Sequence, residues 1–302
     1  MQASRAPAGV LAIALAVAGG AIVGAGQSGQ LPLAPLGVRG EALFPYLEGW
    51  YRNADGTSTI LLGYFNRNQS QTFEIPIGPN NRIEPGGPDQ GQPTHFLVKR
   101  QYGAFTITVP KDFGTRKLTW TVVANGQTNA VTFWLNPPYF IEPFKNQANG
   151  NTPPVIKFGD GPELTGPPRG FAQTLAATVA QPVPLSLWAS DKPATTVFDP
   201  NPPPPRAAGG TGQGREPPPA ITIVWTKYRG PGGVTFADER LPLADGAGSQ
   251  ATTTASFSEP GEYWLRATAN DQSGDGGGGD QCCWTTAHVK VNVKESGAGS
   301  GR

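Results

Sequence analysis

The stretch "SEPGEYWLRATAND", residues 258–271, decides how the chain is read. Pro260-Gly261 makes a tight turn, and the residues after it alternate as in a β-strand. Tyr263, Leu265, Ala267 and Ala269 fall on one face, and Trp264, Arg266, Thr268 and Asn270 on the other. The strand then runs into "QSGDGGGGDQCCW" (272–284), a loop with two aspartates, a glycine run and both cysteines of the chain. A metal or redox site carried by a strand and a structural module with a loose loop are both open at this point.

The same alternation extends in both directions. Residues 40–136 hold seven strand-like segments, at 46–52, 58–66, 71–78, 94–100, 104–110, 116–124 and 128–135. Asp55-Gly56 and Asn125-Gly126 mark hairpins, because such pairs take positive φ at little cost. Residues 137–154, rich in proline and asparagine, read as an ordered linker whose aromatics pack on a neighbouring domain. A second β-rich region covers 155–294, with strands at 171–179, 183–190, 220–228, 233–237, 251–258, 262–270 and 285–293. A Pro/Gly-rich insertion, 199–219, interrupts it; proline lacks the N–H a strand ladder needs. The tail, 295–302, is disordered by composition. No segment has a useful helical period. The expected class is all-β, with two β-sandwich domains.

The second region resembles the bacterial extracellular immunoglobulin-like modules of the polycystic-kidney-disease type. Trp225, Gly230, Pro231, Gly232, Val234 and Phe236 carry the first part of the likeness, and Ala255, Phe257, Pro260, Gly261, Tyr263, Leu265 and Asp271 the second. Two features depart from the family: its W-D-F-G-D-G signature is replaced by "WTKYRGPG", and "LPLADGAGSQ" (241–250) reads as an insertion. The likeness implies an immunoglobulin-like sandwich with spacer, adhesion or partner-binding roles and rarely catalysis. It also suits Tyr263, which sits where a sandwich's corner tyrosine buries its ring and bonds backbone through its hydroxyl. The first region is similar to uncharacterised bacterial secreted proteins with a "GWYRNADGTSTILLGYFNRN" pattern, a likeness that implies no function.

Residues 1–26 read as a signal peptide or membrane anchor. Arg5 is followed by an apolar run from Ala6 to Ala25, ending in small residues. That run is long enough to cross a bilayer, so membrane contact through residues 6–25 stays open. Either way the rest of the chain is exported, to the periplasm or the cell exterior. With 23 basic and 22 acidic residues there is no electrostatic footprint for nucleic acid. Glycine (41) and proline (32) make up about a quarter of the chain, near the level that signals disorder, but the prolines cluster in discrete stretches.

Catalytic chemistry finds little support. His95 sits at a strand start, and His288 alternates with Val289, Val291 and Val293, placing it with Lys290 and Asn292 on a face expected to meet solvent. Neither a G-x-S-x-G elbow nor a phosphate loop is present. Asp271, Asp275 and Asp280 could contribute to a calcium cage, weighed against a solvated loop. Cys282 and Cys283 leave three options open: a disulfide between neighbours, free thiols, or bonds to another chain. Their Cα spacing of ~3.8 Å is shorter than the usual disulfide span. Trp50, Tyr51, Trp120, Trp134, Tyr139 and Trp188 could form a sugar-stacking platform, though core packing accounts for most of them. Trp264, opposite Tyr263, and Trp284 are the candidate anchors for a protein partner. The reading is an exported, non-enzymatic structural or interaction module without a cofactor, such as an accessory subunit of a membrane or cell-surface assembly. A carbohydrate-binding protein and a hydrolase using carboxylates are the alternatives.

Overall fold

A computed structural model describes residues 35–143, 150–192, 219–244, 246–271 and 282–296. The strands are β1 (Leu43–Arg52), β2 (Ser58–Asn66), β3 (Phe73–Glu74), β4 (Asn81–Glu84), β5 (His95–Phe96), β6 (Lys99–Val109), β7 (Leu118–Ala124) and β8 (Gln127–Phe133) in the first half. The second half contributes β9 (Val155–Lys157), β10 (Phe171–Thr178), β11 (Val183–Ser190), β12 (Ile221–Arg229), β13 (Val234–Phe236), β14 (Arg240–Leu243), β15 (Ser249–Phe257), β16 (Gly261–Asp271) and β17 (Trp284–Lys294). The signal or anchor segment, the insertion up to residue 218 and most of the tail lie outside the described residues.

In the first half, sheets of order β1-β2-β6 and β4-β7-β8, with the pair β3-β5, close around one core. Trp120 is at its centre, fully buried, edge-on to Phe105 at 4.9 Å. The hairpins fall where the turn residues place them: Asn125 (φ 49°) and Gly126 (φ 73°) join β7 to β8 in a tight turn. Strand β4 has no alternating signal in the sequence. It is held by Asn81, whose Nδ2 donates to the carbonyls of Ile75 (3.0 Å) and Pro93 (2.7 Å), while Trp120 Nε1 donates to its Oδ1 at 3.1 Å.

The second half is a two-sheet sandwich of immunoglobulin-like order: β10-β17-β16-β12-β14 faces β13-β15-β11-β9. Strand β10 runs parallel to β17, and the remaining pairs are antiparallel. The inner faces supply the core, with Trp225, Tyr263, Leu265, Ala267 and Ala269 all buried. Tyr263 pins the corner: its hydroxyl donates to the Glu259 carbonyl and accepts from the Gly232 N–H, both at 2.9 Å. The segment read as an insertion after Arg240 is in part strand β14, whose Leu241 and Leu243 pack against the core.

The two cores are joined side to side, because the outer face of the five-stranded sheet is covered by the first half. A bulge in β12 between Lys227 and Arg229 turns three successive side chains across the junction. Lys227 pairs with Glu74 at 2.8 Å, and Tyr228 Oη donates to the Gly91 carbonyl at 2.6 Å. Arg229 grips Asp89 with two bonds of 2.8 and 3.0 Å. The Tyr228 ring belongs to the first core. Opposite it, a bulge in β6 leaves Gly103 at φ +50°, and the Trp284 ring lies so close that a Cβ there would sit 2.2 Å from it.

The junction overturns one expectation directly. His288 does not meet solvent: it is 6% exposed, its ring 4.2 Å from that of Tyr228. Alternation assigned the face correctly, but another domain occupies that face.

Candidate functional site

A cleft of ≈ 1250 Å³ runs along this junction. One wall comes from the ends of β1, β2 and β6, with Tyr51, Thr59, Thr106 and Thr108. The connection after β8 forms the floor of the cleft: Pro137–Tyr139 make one 3-10 turn, and Phe140 then packs edge-on against Trp50 at 5.1 Å. Ile141 N–H donates to the Trp50 carbonyl at 3.0 Å, so Phe140 is fixed to the first half while remaining 47% exposed. The far wall is Phe171 with Trp264 and His288.

Three exposed or half-exposed rings are held rigidly here. Phe171 stands edge-on to Trp264 at 4.6 Å, with the Lys290 ammonium 4.6 Å above its ring. Trp264 stacks parallel to Tyr228 at 6.1 Å and carries the Arg229 guanidinium at 4.2 Å. Its Nε1 donates to Glu262 at 2.8 Å. Trp264 is therefore half-buried inside the junction rather than a free anchor. Trp284 is 2% exposed and lies against Gly103, so it braces the two halves and presents no surface to an outside partner. Among the described residues, the rings open to solvent along the cleft are Phe140 and Phe171, which alternation alone could not single out.

Among the described residues, the electrostatics of the cleft assemble no acid–base pair. Its acids among the described residues are Asp55 and Glu142. Thr57 holds Asp55 below the usual carboxylate range through its hydroxyl (2.6 Å) and its N–H (2.9 Å), which stabilise the charged form. Burial drives the His288 pKa down to about 3, reinforced by the charges of Arg266 and Arg229, so its ring is neutral at ordinary pH. Acids with raised pKa lie elsewhere. Glu48 is pushed to about 7 by burial, against the pull of Arg100; Asp191 rises to about 6 through burial and the charge of Asp271.

The remaining sequence candidates are scattered. Cys282 and Cys283 are joined to each other by a disulfide just before β17, both buried. Asp271 is buried and accepts from the Asn151 amide, while Asp275 and Asp280 lie outside the described residues. No group of three or more His, Cys, Asp or Glu side chains is placed to hold a metal among the described residues. Of the sugar-platform aromatics, Trp50, Tyr51 and Trp120 are core residues, and only Tyr139 and Trp188 are exposed. His95 is engaged by Glu74 at 2.8 Å.

No protein-family model and no curated protein sequence matches the chain. Among solved structures, the D00–D0 domain of intimin aligns with 84% of this chain and 100% of its own at 11% identity and a TM-score of 0.25. The Yersinia pseudotuberculosis adhesin InvE aligns with 83% of this chain and 58% of its own at 15% identity and a TM-score of 0.23. WR4, a C. elegans MSP family member, covers 40% of this chain and 92% of its own at 8% identity and a TM-score of 0.23. Likenesses this slight add nothing to the strand order, on which the immunoglobulin-like fold stands.

Proposed function

We propose that the chain is an exported, non-enzymatic interaction module that takes a segment of a partner protein into the cleft between its sandwiches. The polycystic-kidney-disease type of module and the role of accessory subunit in a membrane or cell-surface assembly belong to the same reading. The observation that carries it is the pair of solvent-facing rings, Phe140 and Phe171, held by Trp50 and Trp264 on opposite walls of one cleft. Rigid aromatic anchors beside a groove are the usual centre of a protein interface, because ordering them costs little entropy. The N-terminal apolar segment supplies export, with or without a retained anchor.

The test is a pull-down from intact membranes of the native cell, with wild-type protein beside Phe140→Ser and Phe171→Ser. A stoichiometric partner that is lost at least tenfold in either variant supports the reading. Identical capture by wild type and both variants sinks it. The threonine hydroxyls beside the same rings favour one second reading, a saccharide in the cleft, and selective binding on a glycan array would put that reading first.

A further inference from the structure

A smaller cavity, of ≈ 360 Å³, lined from both halves but by different residues, has a different chemistry. Lys99 and Arg100 of β6 line it from the first half, and Arg240 of β14 and Arg266 of β16 from the second. No acidic residue lines it among the described residues. We propose that this cavity is an oxyanion-binding site, for a phosphate, sulfate or carboxylate group carried free or on a single acidic sugar.

Arg266 carries the argument. It is 7% exposed, yet no carboxylate pairs with it among the described residues. Its one side-chain hydrogen bond among the described residues is a long one, from Nη2 to the Tyr102 carbonyl at 3.3 Å, and its buried Nε–H has no acceptor among them. Its cross-strand neighbours are Thr226 and His288, neither of them anionic. A charge removed from water without a counter-charge is unfavourable, so proteins pair such groups or leave them out. Burial works against this guanidinium, lowering its pKa from the usual value.

Arg100 has a carboxylate partner but shares the unused buried donor. Gly63 leaves room for Glu48 to reach Arg100 Nη2 at 2.7 Å, and Tyr46 and Tyr102 hold the guanidinium carbon at 4.4 and 4.8 Å. The second terminal nitrogen, Nη1, is buried without an acceptor. Two guanidinium groups with unused donors therefore border one cavity, and such planar forks match oxyanions. The volume suits an ion with its waters or one sugar ring. This site is separate from the aromatic cleft, so it stands or falls independently of the partner reading.

The test uses the full chain in chloride buffer, titrated calorimetrically and melted with inorganic phosphate, sulfate, glucuronate or glucose, at ionic strength matched with sodium chloride. One saturable site for at least one oxyanion is expected, with glucose silent. Phosphate or sulfate binding tighter than glucuronate identifies a free tetrahedral ion; the reverse order identifies an acidic sugar. Arg266→Met should bind at least tenfold more weakly and melt no lower than wild type in chloride, because the unpaired charge is gone. Lys99→Gln with Arg240→Gln, on the same cavity, should weaken binding several-fold even where Arg266→Met fails to fold. A melting point that follows ionic strength alone, or unchanged oxyanion binding in the double variant, overturns the site.

Discussion

The two faces of β16 are both largely withdrawn from water, and they are built from opposite materials. The inner face, Tyr263, Leu265, Ala267 and Ala269, is an apolar core layer. The outer face, Trp264, Arg266, Thr268 and Asn270, is what a solvent-facing strand would carry, yet Arg266 and Asn270 are buried on it. The inner face hides through packing with its own sandwich, and the outer face because a second sandwich docks there through Arg229–Asp89, Lys227–Glu74 and the Tyr228 ring. Domain docking of this kind relies on directional polar contacts, which leave a polar face polar after burial.

The largest effect should come from the inner face. Leu265→Ala removes a fully buried side chain and should cost about 3 kcal/mol, read as a fall in the denaturation midpoint of the second sandwich. A loss below about 1 kcal/mol would mean the inner layer can collapse around the gap.

Next comes the docking itself. Gly103→Val forces a branched side chain into the Trp284 ring at a backbone angle that disfavours it, at a cost of about 2 kcal/mol. The signature that separates the faces is cooperativity: Gly103→Val should split unfolding into two transitions, whereas Leu265→Ala should not. A single transition in Gly103→Val would show that the junction survives without that close approach.

The effect that is smallest at neutral pH, and grows only in acid, is a change of pH profile. The His288 pKa falls from 6.5 to about 3 on folding, so the unfolded chain takes up the proton first. The contribution is therefore neutral above pH 6.5, and stability is lost progressively as pH falls from there toward 3. Glu48 and Asp191, raised on folding, act in the opposite sense, favouring the fold as pH drops through their range. The difference between wild type and His288→Gln isolates the histidine: the variant should lose less stability between pH 6.5 and 4. Parallel curves would place His288 in contact with water.

Much of the second sandwich was legible because its determinants are local. The Pro260-Gly261 turn, the Tyr263 corner and the alternation of β16 lie within a dozen residues of one another, and each appears where the pattern places it. The hairpin at Asn125-Gly126 is legible for the same reason. The junction was not. Arg229 and Asp89 are 140 positions apart, and neither has a local signature that names the other. Without that contact, His288 reads as solvent-facing and Trp284 as an exposed anchor. Strand β4 was missed because its hold comes from the side chain of Asn81 rather than from alternation. Strand β14 was missed because the turn residues after it gave the segment the look of an insertion. The cleft aromatics fared no better: Phe140 acquires its place from a bridge to Trp50 that no periodicity predicts.

The parallel pairing of β10 with β17 has a consequence for association. It takes the final strand out of reach on both sides and makes β10 the rim of its sheet, with backbone donors and acceptors on its far side that no other strand pairs among the described residues. Its sequence, "FAQTLAAT", contains neither charge nor proline, the residues that usually guard such a rim against strand addition. The five-stranded sheet therefore ends in a template of eight residues that begins at Phe171, on the wall of the cleft.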